Sequence, residues 1–371
     1  MSRDYDVIVV GAGLVGAAIG LGLARLGRRV AVLDGGDGDF RAARGNGGLV
    51  WVQGKGVRLP AYRRLTERSA AAWSEFAREL QDLSGIDVEL EQRGGLVFCL
   101  GEAGLAERRR RLTPEGGDGP VNAEIIDRAA LAALLPRLRL GPAVAGASFG
   151  RHDGAVHTLR LLRALHVGLG RLGAELSTGD AVTAVAAEAG GFRVESGRGV
   201  RRAGRVVIAA GLGTAPLAQA LGIELEVLAE RGQMLVAGPV APLLDLPATG
   251  VRQLRDGTLQ FGTSNEPVGR DAAATVAAAA RIARRAVEIS PDFARVGLRR
   301  HWACLRVLSR DGAPVYAESP TCPGAFVAIC HSGVTLAAAH AGELATALAA
   351  GALPAVFSSF HHGRFHVSHA V

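Results

Sequence analysis

The stretch YDVIVVGAGLVGAAIGLGLARLGRRVAVLD, residues Tyr5 to Asp34, decides the fold of this 371-residue chain. Val7 to Val10 is a β-branched run, too short for a helix and typical of a strand buried on both faces. A glycine-rich turn follows at once, with Gly11, Gly13 and Gly16 in G-x-G-x-x-G spacing. The next dozen residues are small or aliphatic with helical periodicity as far as Gly27, and Arg29 to Leu33 forms a second strand that ends at Asp34. Each part has a mechanical purpose in a βαβ unit that holds a dinucleotide. Gly11 allows the tight turn, Gly13 lets a pyrophosphate approach the main chain and Gly16 lets helix pack on strand, while Asp34 accepts hydrogen bonds from a ribose. Leu14 and Val15 lie in the same phosphate-facing turn.

The chain next enters RGNGGLVWVQGKG, Arg44 to Gly56, which sets five glycines around Trp51, Gln53 and Lys55, the only lysine. A flexible linker would avoid Leu49-Val50-Trp51-Val52, which reads as a short buried strand. A nicotinamide enzyme would continue after the ribose acid with another crossover helix. A glycine loop that lies over the pyrophosphate and runs along a flavin ring, where a Cβ would collide, suits FAD instead. Arg44, Gly45, Asn46, Gly47, Gly48 and Leu49 are therefore candidate cofactor contacts. Trp51 and Gln53 leave the loop on a strand and are candidates for a wall and a polar contact of a substrate cavity, with core packing the alternative for Trp51. Solvation is the default for Lys55, pairing with the cofactor or an internal acid the sharper reading.

Composition narrows the class. The chain is 49% hydrophobic and 21% charged, enough for two cores. Its net charge of +7 is scattered rather than gathered into a tail or one patch, which argues against nucleic-acid binding. The tightest run, Arg108 to Arg111, reads as a solvated helix face. Cys99, Cys304, Cys322 and Cys330 form no CxxC pair, so neither a zinc nor an iron–sulfur site is expected and the chain reads as reduced and cytoplasmic. The residues before the first strand lack the basic, then apolar, pattern of a leader, so none is expected, and no apolar run reaches the length of a membrane span. His362, His366 and His369 share a helical face in the C-terminal tail, but without an acidic or Cys partner they read as solvated rather than as a metal site.

Beyond the N-terminal motif, RGGLVF from Arg93, HDGAVHTLRLLRAL from His152, VVIAAGLGTAPLAQALG from Val206, ERGQMLV from Glu230, HWACLRVLSRDGAPVY from His301 and FVAICHSGVTLAAAHAGELATALAAG from Phe326 occur in that order. The chain resembles the FAD-dependent amino-acid and amine oxidoreductases of the D-amino-acid oxidase and glycine oxidase type. More narrowly, RGNGGLVWVQGKG, CHSGVTLAAAHA and GRFHV look like flavin subunits of heteromeric dehydrogenases such as opine oxidase, D-hydroxyproline dehydrogenase and hydrogen cyanide synthase. The resemblance implies an α/β Rossmann-type FAD-binding domain built from discontinuous segments, 1–85, 150–221 and 297–371. A substrate-binding domain with a mixed or antiparallel sheet, 86–149 and 222–296, is inserted between them.

The resemblance also implies site residues. Arg306, in WACLRVLSRDGAPVY, stands where glycine oxidase presents its substrate arginine over the flavin, and a guanidinium can hold a carboxylate with two hydrogen bonds. Ser332, Gly333, Val334 and Thr335 lead into a helix whose N-terminus would face the pyrimidine edge of the ring and favour its reduction. His331 beside them is a candidate to touch substrate or ring, although Cys330 replaces a usual glycine there. Val182 and Gly211 complete the expected cofactor contacts, and Arg231 reads as structural. The expected reaction is hydride transfer from Cα–H to flavin N5 in a D-amino acid or cyclic secondary amine acid such as cis-4-hydroxy-D-proline. Electrons would pass to partner subunits carrying an iron–sulfur cluster and a second dinucleotide site. The alternatives are an opine or glycine oxidase-like enzyme and a flavin-carrying electron-transfer subunit without its own substrate.

Overall fold

A computed structural model describes residues 4–36, 41–117 and 119–365; His366 and His369 lie outside them. The opening βαβ unit forms as its pattern dictates: β1 (Tyr5–Val10), a helix over Leu14–Arg25 and β2 (Val30–Asp34). Val7 and Val9 enter one core and Ile8 and Val10 another, so β1 is buried on both faces and no polar alternation appears in its sequence.

This unit lies at the centre of an eight-stranded sheet. β1 pairs in parallel with β2 and with β11 (Gly199–Ile208); β2 continues to β8 (Glu175–Thr178), and β11 to β17 (Ala325–Ile329). β16 (Val315–Glu318) closes one edge antiparallel, and a hairpin of β9 (Val182–Glu188) and β10 (Gly191–Ser196) pairs with the first half of β11. Four sequence-distant segments thus build one parallel core, as the resemblance implies. The helix Pro60–Ser84 begins with proline at its first position and ends at Gly85, whose φ of 74° stops the helix.

A second layer faces this one. β12 (Leu228–Pro239) pairs antiparallel with β14 (Thr258–Gly262), which pairs with β13 (Val251–Gln253), and on its other side with β15 (Leu298–Leu308). A three-stranded sheet of β4 (Gly95–Leu100), β6 (Val144–Gly150) and β5 (Glu124–Asp127) packs into the same third core, with the helix Val276–Ile289 behind it. Because β15 is fully paired to β12, it stands with the substrate-side sheet, whereas the expected boundary at 297 puts it on the flavin side. The short antiparallel pair of β3 (Leu49–Val50) and β7 (Gly154–Ala155) joins the two layers. Only Leu49 and Val50 of the expected strand take part; Trp51 and Val52 are buried in the turn that follows.

The run Arg108–Arg111 is not a uniform solvated face. Arg109, Arg110 and Arg111 are exposed, but Arg108 shares its side of the helix Gly101–Leu112 with Leu105 and Leu112 and turns inward to Ser148 and Gln53.

Candidate active site

The nucleotide end has the features that its glycines require. Gly11 has φ 105°, and a Cβ there would lie 2.5 Å from the Ala209 oxygen; a Cβ on Gly16 would lie 1.9 Å from the Gly11 oxygen. Gly13 is different. A Cβ there would meet only Ala43, at 3.7 Å, so the position is spare on the protein side. Gly13 is also the N-cap and offers no side chain to the first-turn N–H groups, which is the arrangement that receives a phosphate. The residues present therefore fit a dinucleotide.

Asp34 sits at the end of β2, its carboxylate oxygens accepting from Ala12 N and Gly36 N, each at 2.7 Å, with lone pairs left for ribose hydroxyls. Residues 178–182 run alongside: Asp180 N donates to Asp34 O at 2.8 Å, which holds the segment leading to Val182 beside Asp34. Gly211 follows β11 just after Ala209, which packs on Gly11. His166, which no sequence pattern singles out, approaches the turn with its Nε2 2.8 Å from Ala12 O, in a cleft lined by Arg44 and Arg163.

The glycine loop has a second reason for its composition. A Cβ on Gly45 would collide with Cys304 Sγ at 2.8 Å, and one on Gly48 with Val156 O at 2.2 Å. Gly45 lets the loop press against β15 and Gly48 lets it press against the residue after β7, so a flavin ring does not account for all of them. At Gly47, by contrast, a Cβ would meet only Met234 Cε, at 3.7 Å. Asn46 clips the loop, accepting from Gly48 N and donating to Ala42 O. Arg252, also without a sequence signal, is buried and donates to Gly47 O and Val156 O; burial lowers its pKa to about 10.

The C-terminal turn closes on the same place. A Cβ on Gly333 would touch Val15 and Leu14 at 3.4 and 3.7 Å, so this turn lies against the start of the first helix. Thr335 Oγ1 accepts from Trp51 N at 2.9 Å and donates to Leu49 O, while Ser332 Oγ shares a 2.6 Å hydrogen bond with Tyr62 OH. Val334 is buried. The helical turns begin only at Ala337, two residues beyond the expected start at Thr335.

Two expected substrate contacts are used differently. Gln53 is 2% exposed and both ends of its amide are engaged: Nε2 donates to Asp153 Oδ2 and Gly95 O, and Oε1 accepts from Ser148 Oγ and Arg108 Nη2. It is a structural bridge, because an amide with no free donor or acceptor has nothing to offer a ligand. Trp51 packs its ring over Gly95, where a Cβ would come within 2.6 Å, and takes the core-packing alternative.

Asp153, at the centre of this bridge, is fully buried; burial raises its pKa to about 6, against the hydrogen bonds from Val52 N and Gln53 that pull it down. A carboxyl whose folded pKa exceeds its unfolded value takes up a proton on folding, so its contribution to stability improves as pH falls through about 6 toward the unfolded value. Thermal unfolding of Asp153→Asn should show a smaller gain in Tm between neutral pH and pH 5 than the wild type; identical slopes would exclude Asp153 as the titrating group.

Arg306 lies on β15 directly opposite Glu230 on β12, on the face that carries Trp302 and Cys304 to the glycine loop. Its fork is already engaged. Nη1 donates to Glu230 Oε1 at 2.8 Å, and Nη2 to Thr263 Oγ1 at 2.6 Å and Ser264 O at 2.8 Å. Arg231, one residue along, points to the other side of the sheet and pairs with Glu266 and Asp271, in keeping with a structural role.

His331 is exposed, yet desolvation by the surrounding protein, then the positive charges of Lys55 and Arg306, hold its pKa down to about 3. With a pKa of about 3, this side chain is neutral at physiological pH. Burial likewise pushes Cys330 up to about 12 and lowers Lys55 from its ordinary value.

The glycine turn, Asp34, the loop after β2 and the C-terminal turn meet around the start of the first helix, where the residues fit a dinucleotide. The sequence matches the FAD-dependent oxidoreductase (DAO) family over residues 6–348, and the chain belongs to that family. It is a FAD-dependent enzyme acting on amino acids or amines. It is 38% identical to an opine oxidase subunit of Agrobacterium tumefaciens (strain Ach5), over 99% of this chain and 100% of that protein. It is 27% identical to the HcnC subunit of hydrogen cyanide synthase from Pseudomonas aeruginosa over 85% of each. The crystal structure of glycine oxidase from Geobacillus kaustophilus superposes with a TM-score of 0.86 at 25% identity, covering 99% of this chain and all of that one. Among the described residues no helix is long and apolar enough to cross a membrane.

Proposed function

We propose that this enzyme oxidises a secondary-amine amino acid of the opine class and passes the electrons to companion subunits. The observation that carries this reading is the full-length 38% identity to a protein named as a subunit of opine oxidase. FAD, when bound, supplies the two-electron acceptor for the hydride leaving the Cα next to the amine. Loss of that hydride requires a neutral amine held close to the ring. Lys55 and Arg306 serve this need, since positive charge beside a bound ammonium lowers its pKa. Arg306 takes a substrate carboxylate once Glu230 yields it. His331 acts as a hydrogen-bonding neighbour of the substrate and not as a proton carrier, because a group with a pKa of about 3 binds protons too weakly near neutrality. The product is an imine, which water hydrolyses to an amine and a keto acid.

An anaerobic screen read by flavin bleaching tests this. N-carboxyalkyl amino acids should bleach the flavin faster than glycine, D-amino acids or cis-4-hydroxy-D-proline. Bleaching by the hydroxyproline alone would move the substrate to cyclic imino acids. A flavin reduced by dithionite but by no amine would make the chain an electron-carrying subunit. For the partners, the isolated chain should reduce dyes while reacting slowly with oxygen, and should recover companion subunits from its native extract. Fast stoichiometric peroxide formation without any companion would mark a self-sufficient oxidase.

A further inference from the structure

Arg306 does not keep its side chain on its own strand. From β15 it passes over β12, where Nη1 donates to Glu230, and ends beyond β12 with Nη2 donating to Thr263 Oγ1 and Ser264 O. The residue beneath the crossing is Gly232. A Cβ there would lie 2.6 Å from Arg306 Nη2, 2.7 Å from Cζ and 3.0 Å from Nη1, and these guanidinium atoms are the nearest that it would meet. Backbone freedom does not explain this glycine, because Gly232 lies inside a paired strand and outside the left-handed region. The gap explains it, since a glycine in a strand interior weakens the strand and marks the close approach of another group. Side chains alternate about it as a strand requires. Arg231 and Gln233 turn to the opposite face and bond Glu266, whereas Glu230, Gly232 and Met234 share the face of Arg306, and Met234 Cε stands 3.7 Å from where a Cβ on Gly47 would be. The far end of the crossing is fixed as well: Gln233 N donates to Ser264 Oγ at 3.0 Å, and Arg231 and Glu266 exchange backbone hydrogen bonds of 2.9 and 3.0 Å.

Resting on the reading of Arg306 as the group that takes the substrate carboxylate, we propose that Gly232 is a positioning residue for it: the missing side chain is the gap through which the guanidinium crosses β12 to a seat on Thr263 and Ser264. The seat holds Nη2 with two acceptors, while Nη1 faces Glu230, the partner that a substrate displaces. The cation keeps one orientation through that exchange, and a carboxylate meets an arginine that is already ordered. Gly232→Ala closes the gap. The guanidinium is the far end of a flexible side chain, so it gives way rather than the sheet, and it leaves Thr263 and Ser264.

The test uses the FAD-loaded protein and two unreactive probes that lack the amine, methylthioacetate and its uncharged amide, with binding read as perturbation of the flavin absorbance. The wild type should prefer the acid. Gly232→Ala should weaken the acid by about 10- to 100-fold, the range of one hydrogen bond to a charged group, and leave the amide, the FAD content and the unfolding midpoint close to those of the wild type. In an Arg306→Ala background, Gly232→Ala should have no further effect on the acid. Thr263→Val approaches the seat from its other end: it removes an acceptor of Nη2 without adding bulk, and should lower the same preference. Equal weakening of acid and amide by Gly232→Ala, an unchanged preference in that variant, or the same loss when Arg306 is already alanine would overturn the assignment. If Gly232→Ala fails to fold, an unchanged preference in Thr263→Val overturns it. An Arg306→Ala protein that keeps the wild-type preference overturns the carboxylate reading of Arg306 itself, and the role of Gly232 with it.

Discussion

Replacing Gly13 with valine is expected to leave the chain folded and without FAD. Gly13 has φ −67° and ψ −178°, a conformation open to any residue, and its added Cβ would meet only Ala43 on the protein side. The new side chain would instead occupy the approach to the first-turn N–H groups, where the pyrophosphate is held. Loss of that contact is worth roughly 4 kcal/mol or more, about 10³-fold in the dissociation constant of FAD. Gly16→Val is the contrasting case: with a Cβ 1.9 Å from the Gly11 oxygen, helix and strand cannot stay packed, and soluble folded protein should be lost. The ratio of flavin to protein absorbance, with unfolding curves for both variants, separates the two effects. A Gly13→Val protein purified with a full complement of flavin would remove this turn from the phosphate site.

The difference between these glycines could be read only partly from sequence. The βαβ unit from Tyr5 to Asp34 was legible because every signal in it is local: a β-branched run, glycines at fixed spacing, helical periodicity and an acid at a strand end. Spacing assigned Gly13 to the phosphate approach and Gly16 to helix–strand packing, but the size of the clash behind Gly16 and the open space behind Gly13 came only from the packing. Residues whose roles depend on distant partners were legible less well. Gln53 takes its bonds from Asp153 and Ser148, about a hundred positions away, and nothing in its neighbourhood announces them. Arg108 did carry a signal, since it lies three residues after Leu105 and four before Leu112 on the inward side of its helix, but the run of four arginines hid it. Arg252 sits in an ordinary short strand with no signal at all. The glycine loop suggested a flavin for a sound steric reason, yet Gly45 and Gly48 are also glycine because β15 and Val156 crowd them, a contact between segments far apart in the chain. Family resemblance, rather than spacing, carried Arg306, and it could not show that Glu230, across the sheet, already holds the guanidinium.

That ion pair sets the terms for the largest effect expected on substrate. Arg306→Ala should weaken binding of a carboxylated substrate by about 2–5 kcal/mol while FAD content stays near normal, because the lost contact is a desolvated, forked charge pair. The protein should tolerate the change: Glu230 keeps a quarter of its side chain exposed and retains Asn265 as a donor, so removal of the arginine does not strand a buried charge. Arg306→Lys should recover little, since an ammonium on a flexible stem supplies charge without the planar fork. Glu230 makes the prediction sharper. In the substrate-free protein it competes for Nη1, and the substrate must displace it. Glu230→Gln keeps the shape and an acceptor oxygen but removes the charge, so it should tighten substrate binding, with the effect abolished when Arg306 is already alanine. The double-mutant cycle measures this coupling directly. If Arg306→Ala bound carboxylated substrates with near-normal affinity, or if Glu230→Gln weakened them as Arg306→Ala does, the pair would be a brace between β12 and the Thr263–Ser264 segment, and the substrate carboxylate would bind elsewhere.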